Sequence, residues 1–581
     1  MNNEYRTTLI KSIDEKMVGK EITVSGWIEN IRDHGGVLFL DLRDTSGILQ
    51  TVSNDDELFK GLAKESVIRL KGVIRKRNLD TINEKIATGY IELLVSSLEV
   101  LSSSEHVLPF EIKMSKNVSE DLRLKYRYLD LRNEKVMNNI KLRSEVLHFL
   151  RNKMYDLGFT EVQTPILTAS SPEGARDFVV PSRLFKGKFY ALPQAPQIYK
   201  ELLMVGGLDK YFQVAPCFRD EDARRDRTLE FYQLDLEMCF TNEEEILTLG
   251  EDIFYSVFSK FSKKHISQKP FKRLTFNDAL EMYGTDKPDL RNPLIIKDAT
   301  EILKNTTFNP FKKSNIKVIV VDNIGQKPNS WFNEIVDYAS SIDMPGIGYV
   351  TLMEDGKLKG PIDKFLTEEE RQTLISDFNM KTNSVMFFIA NKNKKMAQKY
   401  AGQIRNELGR KCNLIAEDTL EFCIVNDFPM FEYDYEAKKY NFAHNPFSLP
   451  KDNLKNYKDV DLENIVAYQF DFVCNGNEMA SGAIRNNNLE LLKEGFEIVG
   501  YQKDEIEKRF ASIFTAFKYG CPPHGGMAPG IDRIIMLLLD EENLREVQAF
   551  PTSASGADLM MGSPSELTKV QLDELNIKIK E

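Results

Sequence analysis

The sequence predicts a multidomain α+β chain that opens with a small β-barrel. Three observations predict it. Five short runs within the first 105 residues alternate apolar and polar side chains at period two. Beyond them, strands and amphipathic helices mix without the regular alternation of a doubly wound sheet, which favours an antiparallel sheet. The 581 residues fill three or four domains at about 100–200 residues each. The expected limits are a barrel at 1–105, a linker or hinge at 106–130, one domain in two parts at 131–291 and 421–581, and an insertion at 292–420.

The barrel strands are Ile22–Ile28, Val37–Leu42, Gly47–Val52 after a turn at Asp44–Gly47, Val67–Ile74 and Ile91–Val95. Five short strands in about 100 residues suit the OB type, among other five-stranded barrels. The polar run Ser102–His106 reads as the linker. A charged helical stretch follows at Ser119–Arg132. Asn139–Leu157 is an amphipathic helix with Ile140, Val146, Leu147, Leu150 and Met154 on one face, stopped by Gly158. In the insertion, Ile316–Val321 and Val385–Ile389 read as strands. Ser330 is expected to cap a helix through Ala339, Thr367–Glu370 is a capping box, and Lys392–Leu408 is a basic helix. The insertion carries no cluster of catalytic residue types. The motifs that do lie on both sides of it.

Composition narrows the function. A net charge of -11 argues against a bulk polycation that coats DNA, although a local groove can be basic on an acidic protein. The longest apolar run, around Ile534–Leu539, is far short of the ~18 residues of a membrane span. Met1-Asn2-Asn3-Glu4 shows no signal pattern, and the six scattered cysteines, none in a Cys-x-x-Cys pair, suit a reducing cytoplasm. The six histidines show no metal-ligand spacing.

Two constellations carry chemistry. The first is Cys217-Phe218-Arg219-Asp220-Glu221-Asp222 after the strand Tyr211–Val214. A loop with Arg224, Arg225 and Arg227 follows, then the alternating run Leu229–Met238. The planar fork of an Arg at a strand end can hold a phosphate, and Phe231 on the facing strand can lie under a base. Alone, this is equally a salt-bridged surface hairpin. The second is Gly525-Gly526-Met527-Ala528-Pro529-Gly530-Ile531-Asp532-Arg533, running into a buried helix. A Gly-rich strand admits a ligand close to the backbone, and Arg533 in the first turn can reach a polyphosphate. Alone, this is equally a structural turn.

In this order, and after Phe159–Pro165, the set resembles the three motifs of class II aminoacyl-tRNA synthetases. Ser171–Phe178, Ala191–Lys200 and Lys125–Arg132 are similar to segments of the bacterial-type aspartyl-tRNA synthetases. The insertion resembles their extra GAD domain, and the barrel their anticodon-binding OB fold. The resemblance covers essentially the whole chain. It implies an antiparallel-sheet catalytic domain and dimerisation through the first motif. The implied activity is an aspartate–tRNA ligase. Aspartate attacks ATP to give aspartyl-adenylate and pyrophosphate, and the aspartyl group then passes to the 3′ end of tRNA(Asp).

Such a displacement rests on positioning and charge neutralisation more than on a protein base. The resemblance implies catalytic roles for Arg219, Glu221 and Arg533, with Arg219 on the α-phosphate and the substrate α-carboxylate. It places Glu221 on the adenine amino group, Phe231 and Arg533 on either side of the ring, and Asp220, Gly530, Ile531 and Asp532 in the ATP site. Asp471 and Glu478, seven apart on a strand–turn–strand, would hold Mg²⁺ with the nucleotide. Read without the resemblance, they are a solvated charge pair. Arg485 and Lys200 would face the aspartate side chain, Asp235 would hold Lys200, Glu173 and Gln197 would take the ammonium, and His444 would stand close by. The cation pair disfavours asparagine, because an amide does not supply the missing negative charge.

Two departures from the pattern are Thr228, where Gln is common, and Asn445, where a second His is common. Arg32, Phe39 and Gln50 match anticodon-reading positions, and an aromatic with polar groups on a barrel face is how single-stranded bases are read. Phe39 reads equally as barrel core. His34, with Asp80 in the later loop, is implied to accompany relaxed tRNA choice, in which tRNA(Asn) is charged as well. The alternatives are an enzyme confined to tRNA(Asp), a lysyl- or asparaginyl-tRNA synthetase, a tRNA-independent asparagine synthetase, or a catalytically inactive RNA-binding paralogue. The last would have lost Arg219, Glu221, Glu478 or Arg533, and all four are present.

Overall fold

The computed structural model describes residues 3–580 apart from 35–36, 54, 56, 171–174, 436, 453 and 455–460, and apart from the side chains of 34, 37, 503, 507 and 509. It divides into two compact units, Met1–Val118 and Ser119–Glu581. No helix among the described residues is long and apolar enough to cross a membrane.

In the first unit, β1 (Glu21–His34), β2 (Val37–Asp44), β3 (Gly47–Val52), β4 (Val67–Lys76) and β5 (Ile91–Ser102) close a barrel in the order β1-β2-β3-β5-β4. Alternation sends Ile22, Val24, Ile28, Leu40, Leu42, Leu49, Ile68, Leu70 and Leu93 into its core. Closure brings backbones together at Gly72, where a Cβ would lie 2.2 Å from the Leu94 carbonyl oxygen. The strands run longer than the apolar pattern alone indicates, because their ends are paired outside the core.

The second unit is built on an eight-stranded sheet. Its first strands are β6 (Thr160–Glu161), β7 (Lys210–Phe218), β8 (Glu230–Cys239) and β9 (Lys272–Thr275). A separate antiparallel sheet follows, of β10 (Ile296–Asp298), β11 (Asn315–Val321), β12 (Gly348–Leu352), β13 (Leu358–Lys359) and β14 (Val385–Asn391), ordered β10-β11-β14-β12-β13. The chain then returns with β15 (Phe422–Asn426), β16 (Gln469–Cys474), β17 (Asn477–Ile484) and β18 (His524–Pro529). The large sheet runs β9-β15-β16-β17-β18-β8-β7-β6, antiparallel within and with one parallel pair at each edge.

Helices α1 (Glu134–Asp156), α2 (Gln197–Val205), α3 (Glu243–Phe261), α4 (Lys394–Lys411) and α5 (Ile531–Leu538) pack on these sheets. Val146, Leu150, Phe254, Phe258, Ile534 and Ile535 join sheet residues Leu234, Leu236, Phe470 and Phe472 in one core. Asn242 and Glu245 form a capping box at the start of α3.

Several elements differ from the sequence expectation. Helix α1 begins at Glu134, not Asn139, because Asn133 caps it by accepting from the Lys135 amide and Val136 is buried. The charged helical stretch expected at Ser119–Arg132 is present as two short helices, Glu120–Lys125 and Arg127–Asp130, which belong to the second unit although the expected linker limits run to 130. There Arg123 grips Asp130 (3.1 Å) and Glu546 (2.6 Å). Ser330 caps nothing: that helix spans Asn329–Ser341 after Pro328, without a side-chain cap. Thr367 and Glu370 do form a capping box. The α4 residue Arg405, fully buried, donates to the carbonyls of Leu294 (2.6 Å), Asn292 (2.6 Å) and Asp289 (2.9 Å), which pins the chain entering the smaller sheet.

Candidate active site

A cavity of about 630 Å³ opens on the sheet, lined by β8, β17 and β18 residues, by the start of α2 and by the turn into α5. Its floor is a buried charge cluster. Lys200 of α2 donates to Asp235 (2.8 Å) and lies 3.2 Å from Glu237. Arg485, just after β17, grips Glu237 through Nε (2.8 Å) and Nη2 (3.1 Å). The β8 alternation creates this. Leu234 and Leu236 fill the core on one face, and Asp235 and Glu237 line the other. Opposite Glu237 stands Gly526, where a Cβ would lie 2.3 Å from the carboxylate. Only glycine leaves room for it.

Burial alone would raise all the carboxyls here. At Glu237 the Arg485 guanidinium and Lys200 ammonium override it and hold the group at about 2. At Asp235 burial wins over Lys200 and the carboxyl is raised. Burial opposes the charge on Lys200 and Arg485, but the facing carboxylates outweigh it, and both cations are raised. The expected pair of cations is therefore present at the cavity floor, but already held by two carboxylates rather than one. Gln197, at the first turn of α2, is buried and lines the cavity; its Oε1 accepts from Asn445 at 3.5 Å. His444 lines the cavity and stands edge-on to Phe428 at 4.8 Å. Glu173 lies outside the described residues.

Towards the cavity mouth, Arg219 follows β7 and lies over the Phe231 ring of β8 at 5.0 Å. Arg219 thus covers the face of Phe231 that a base would occupy. Arg533 donates instead to the Glu478 carbonyl at 2.7 Å and stands 3.7 Å from its carboxylate. Glu221 lines the cavity and pairs with Arg227 at 3.0 Å. Gly530 caps α5 and lines the cavity.

Three of the residues expected in the ATP site also have other partners, Asp532 while lining the cavity. The Asp532 carboxylate is taken up by Arg143 of α1, by the Tyr232 amide (3.4 Å) and by Gln548 (3.1 Å), so it ties elements together. Ile531 is a core residue, leaving only its backbone to meet a ligand. Asp220 pairs through its backbone with Arg176 and does not line the cavity. Thr228, one of the two departures, donates to the Glu230 carbonyl (2.7 Å) and accepts from Gln548 (3.4 Å).

Asp471 and Glu478 stand on the β16–β17 hairpin. They are not a solvated pair: Asp471 is fully buried, with Oδ1 lacking a partner. Lys287 donates to Asp471 at 2.6 Å and stands 3.5 Å from Glu478. Burial raises Asp471; at Glu478, Lys287 and Arg533 overcome burial and lower it. Two hard-oxygen donors, one with an orphaned atom, form a set that fits Mg²⁺ held jointly with phosphate.

On the barrel, Arg32 and Phe39 pair in register across β1 and β2, and Phe39 lies on the outer face while Leu40 fills the core. Arg32 donates to Asp41 (2.7 Å) and Gln50 (3.3 Å), and Gln50 donates to Glu92 (2.7 Å). Asp80 is exposed in the turn Leu79–Thr81. The His34 side chain lies outside the described residues.

Sequence reasoning missed Glu237, Lys287, Glu201 and His524. Asp235 was named through the resemblance, whereas the alternation of the same strand puts Glu237 on the same face. Lys287 comes from 184 residues away from Asp471, with no local signal.

Residues 119–554 match the family described as tRNA synthetases class II (D, K and N), and residues 22–101 match the OB-fold nucleic acid binding domain. The chain belongs to the class II tRNA synthetases of this D, K and N group. Among its relatives are proteins named aspartate–tRNA(Asp/Asn) ligase. One from Ehrlichia ruminantium (strain Welgevonden) is 49% identical over 589 residues, 99% of each chain. One from Wolbachia pipientis subsp. Culex pipiens (strain wPip) is 47% identical over 601 residues, 100% of each. Two solved structures share the fold. The putative aspartyl-tRNA synthetase from Leishmania major Friedlin has a TM-score of 0.60 at 20% identity, covering 95% of this chain and 94% of that one. The asparaginyl-tRNA synthetase from Pyrococcus horikoshii complexed with asparaginyl-adenylate has a TM-score of 0.57 at 19% identity, covering 94% and 97%.

Proposed function

We propose that the chain is an aspartate–tRNA ligase that charges both tRNA(Asp) and tRNA(Asn). The observation that carries the amino-acid choice is the buried Lys200–Asp235–Glu237–Arg485 cluster on the cavity floor. Glu237 takes Nε and Nη2 of Arg485, and no described residue accepts from Nη1, which leaves it for a substrate carboxylate. An asparagine amide there would offer the remaining Arg485 donor a neutral oxygen, a weaker acceptor than a carboxylate, and would turn an NH₂ towards the cationic side chains. The relaxed tRNA choice rests on the names of the relatives and on His34.

Substrate aspartate lies with its side chain on Lys200 and Arg485 and its ammonium near Gln197 and Glu173. Arg219 neutralises the α-phosphate, and its guanidinium needs only to lift from Phe231 to admit a base on that ring. Glu221 and Arg533 bind the nucleotide from opposite sides. Asp471 and Glu478 would hold Mg²⁺, which would supply charge neutralisation for the phosphates. The barrel reads the anticodon through Arg32, Phe39 and Gln50. The enzyme acts in the cytoplasm, as a homodimer. The resemblance puts the dimer contact at the first motif; Leu167, Val179, Leu184, Phe185 and Phe189, exposed on and around the ribbon Val179–Pro181/Phe189–Ala191, are an apolar surface that we assign as a further contact with the second copy.

Amino-acid-dependent ATP–pyrophosphate exchange tests the reading. Aspartate is predicted to support exchange and asparagine and lysine not to. Exchange with asparagine or lysine, or with none of the three, would overturn it.

A further inference from the structure

Behind the cavity floor lies a buried polar chain that the proposed reaction has not used. Gln197 donates from Nε2 to Oε1 of Glu201, one turn along α2, at 2.6 Å. The other oxygen of Glu201, Oε2, faces Nε2 of His524 at 3.6 Å. Both of these atoms are buried without a hydrogen-bond partner. Glu201 and His524 are each fully excluded from solvent. His524 opens β18, and its Nδ1 is 2.8 Å from the Pro522 carbonyl oxygen.

The donor directions along this chain follow from chemistry. A carbonyl oxygen only accepts, so Nδ1 of His524 carries a hydrogen. A carboxylate only accepts, so the Gln197 atom facing Glu201 is the amide nitrogen and not the oxygen. The Gln197 oxygen is thereby turned the other way, towards Asn445 and the cavity. Without Glu201 the amide could turn over, and its NH₂ would then meet the ammonium that Gln197 is there to accept from. Glu201 in turn needs a cation or donor behind it, because an unpaired buried carboxylate is costly. With Nδ1 committed to Pro522, a doubly protonated His524 presents Nε2–H to Glu201.

We propose that Glu201 and His524 are positioning residues for substrate-ammonium recognition. They lock the Gln197 side-chain amide with its oxygen towards the cavity. This rests on the aspartate reading above.

The two functions of Glu201, charge and orientation, separate in the variants. In Glu201→Gln, the new amide accepts from Gln197 through its oxygen and donates its NH₂ to Nε2 of a neutral His524. The lock survives without the charge. In Glu201→Leu both partners are stranded.

The experiment is aspartate-dependent ATP–pyrophosphate exchange, with succinate as competitive inhibitor. Succinate carries both carboxylates of aspartate and no ammonium. Glu201→Leu is expected to raise the KM for aspartate at least ten-fold, with kcat, the KM for ATP and the Ki for succinate within three-fold of wild type. Glu201→Gln is expected to stay within three-fold of wild type on all four. An unchanged KM in Glu201→Leu, or an equal rise in the succinate Ki, overturns the proposal. So does a Glu201→Gln variant as impaired as Glu201→Leu, which would make the charge and not the orientation the active feature. If Glu201→Leu does not fold, His524→Gln carries the test, since an amide at 524 still donates to Glu201. An aspartate KM within three-fold of wild type supports the lock, and a selective rise in either conservative variant overturns it. Wild-type protein without aspartate-dependent exchange would instead sink the underlying reading.

Discussion

Buried charge is tolerated at the floor of this site because every member has a partner. Removing one is the costly event: Arg485→Ala would take both hydrogen bonds and one of two cations from Glu237, leaving it Lys200 alone, and is predicted to destabilise the protein by about 3–5 kcal/mol, measured by denaturant unfolding. Two members also set a pH window. Glu237, held at about 2, contributes stability fully above about pH 4.5 and loses it as pH falls towards 2. Burial would lower the His524 imidazole, but its contacts with Cys521 and Glu201 and the nearby Glu237 charge carry it up to about 10. Its contribution is complete below about pH 6.5 and is lost as pH rises through 10. The Tm difference between wild type and His524→Gln is therefore predicted to shrink between pH 6.5 and 10. A difference that grows over that range would contradict the assignment. At the hairpin, Lys287→Met leaves Asp471 without a cation and Glu478 with Arg533 alone. It is predicted to lower the Tm and to make it more responsive to added Mg²⁺ than wild type, read by thermal melts with and without the cation.

Among the elements, β8 and β18 show most directly how local sequence builds the site. Alternation puts Asp235 and Glu237 on one face, and the glycines of β18 let that face close over them. Gly526→Ala would place a Cβ 2.0 Å from the Leu236 carbonyl oxygen as well as against Glu237. It is predicted to cost about 1–3 kcal/mol and to raise the KM for aspartate, measured by unfolding and by exchange kinetics. Period-two alternation made β8 and the barrel legible, the glycine run made β18 legible, and the Asn139–Leu157 stripe made most of α1 legible. The partners of Asn139 and Arg143 on that helix were not, since both read as surface residues yet bond to Glu541 and Asp532 inside the fold. The residues that complete the site, Lys287, Glu201 and His524, were illegible for the same reason. Each acquires its meaning from a partner brought by tertiary structure: Asp471 and Glu478 for the first, and each other for the last two. The Asp532 position shows the reverse. A motif residue that reads as nucleotide-facing has its carboxylate engaged by α1 and Gln548.

At the scale of the whole molecule, the two units divide the work, the barrel carrying an exposed-face Arg32–Phe39 pair and the larger unit carrying the cavity. The apolar ribbon surface is predicted to be a dimer contact. Phe185→Asp combined with Phe189→Asp is expected to shift sedimentation from dimer to monomer, and an unshifted dimer would place the contact elsewhere. The central claim joins both units, because it asks the catalytic unit to choose aspartate and the barrel to accept two tRNAs. Charging with labelled aspartate on two transcripts, tRNA(Asp) and tRNA(Asn), tests it most directly. The account predicts aspartylation of both at comparable kcat/KM. Aspartylation of tRNA(Asp) alone would contradict the relaxed choice, and aspartylation of neither would contradict the enzyme.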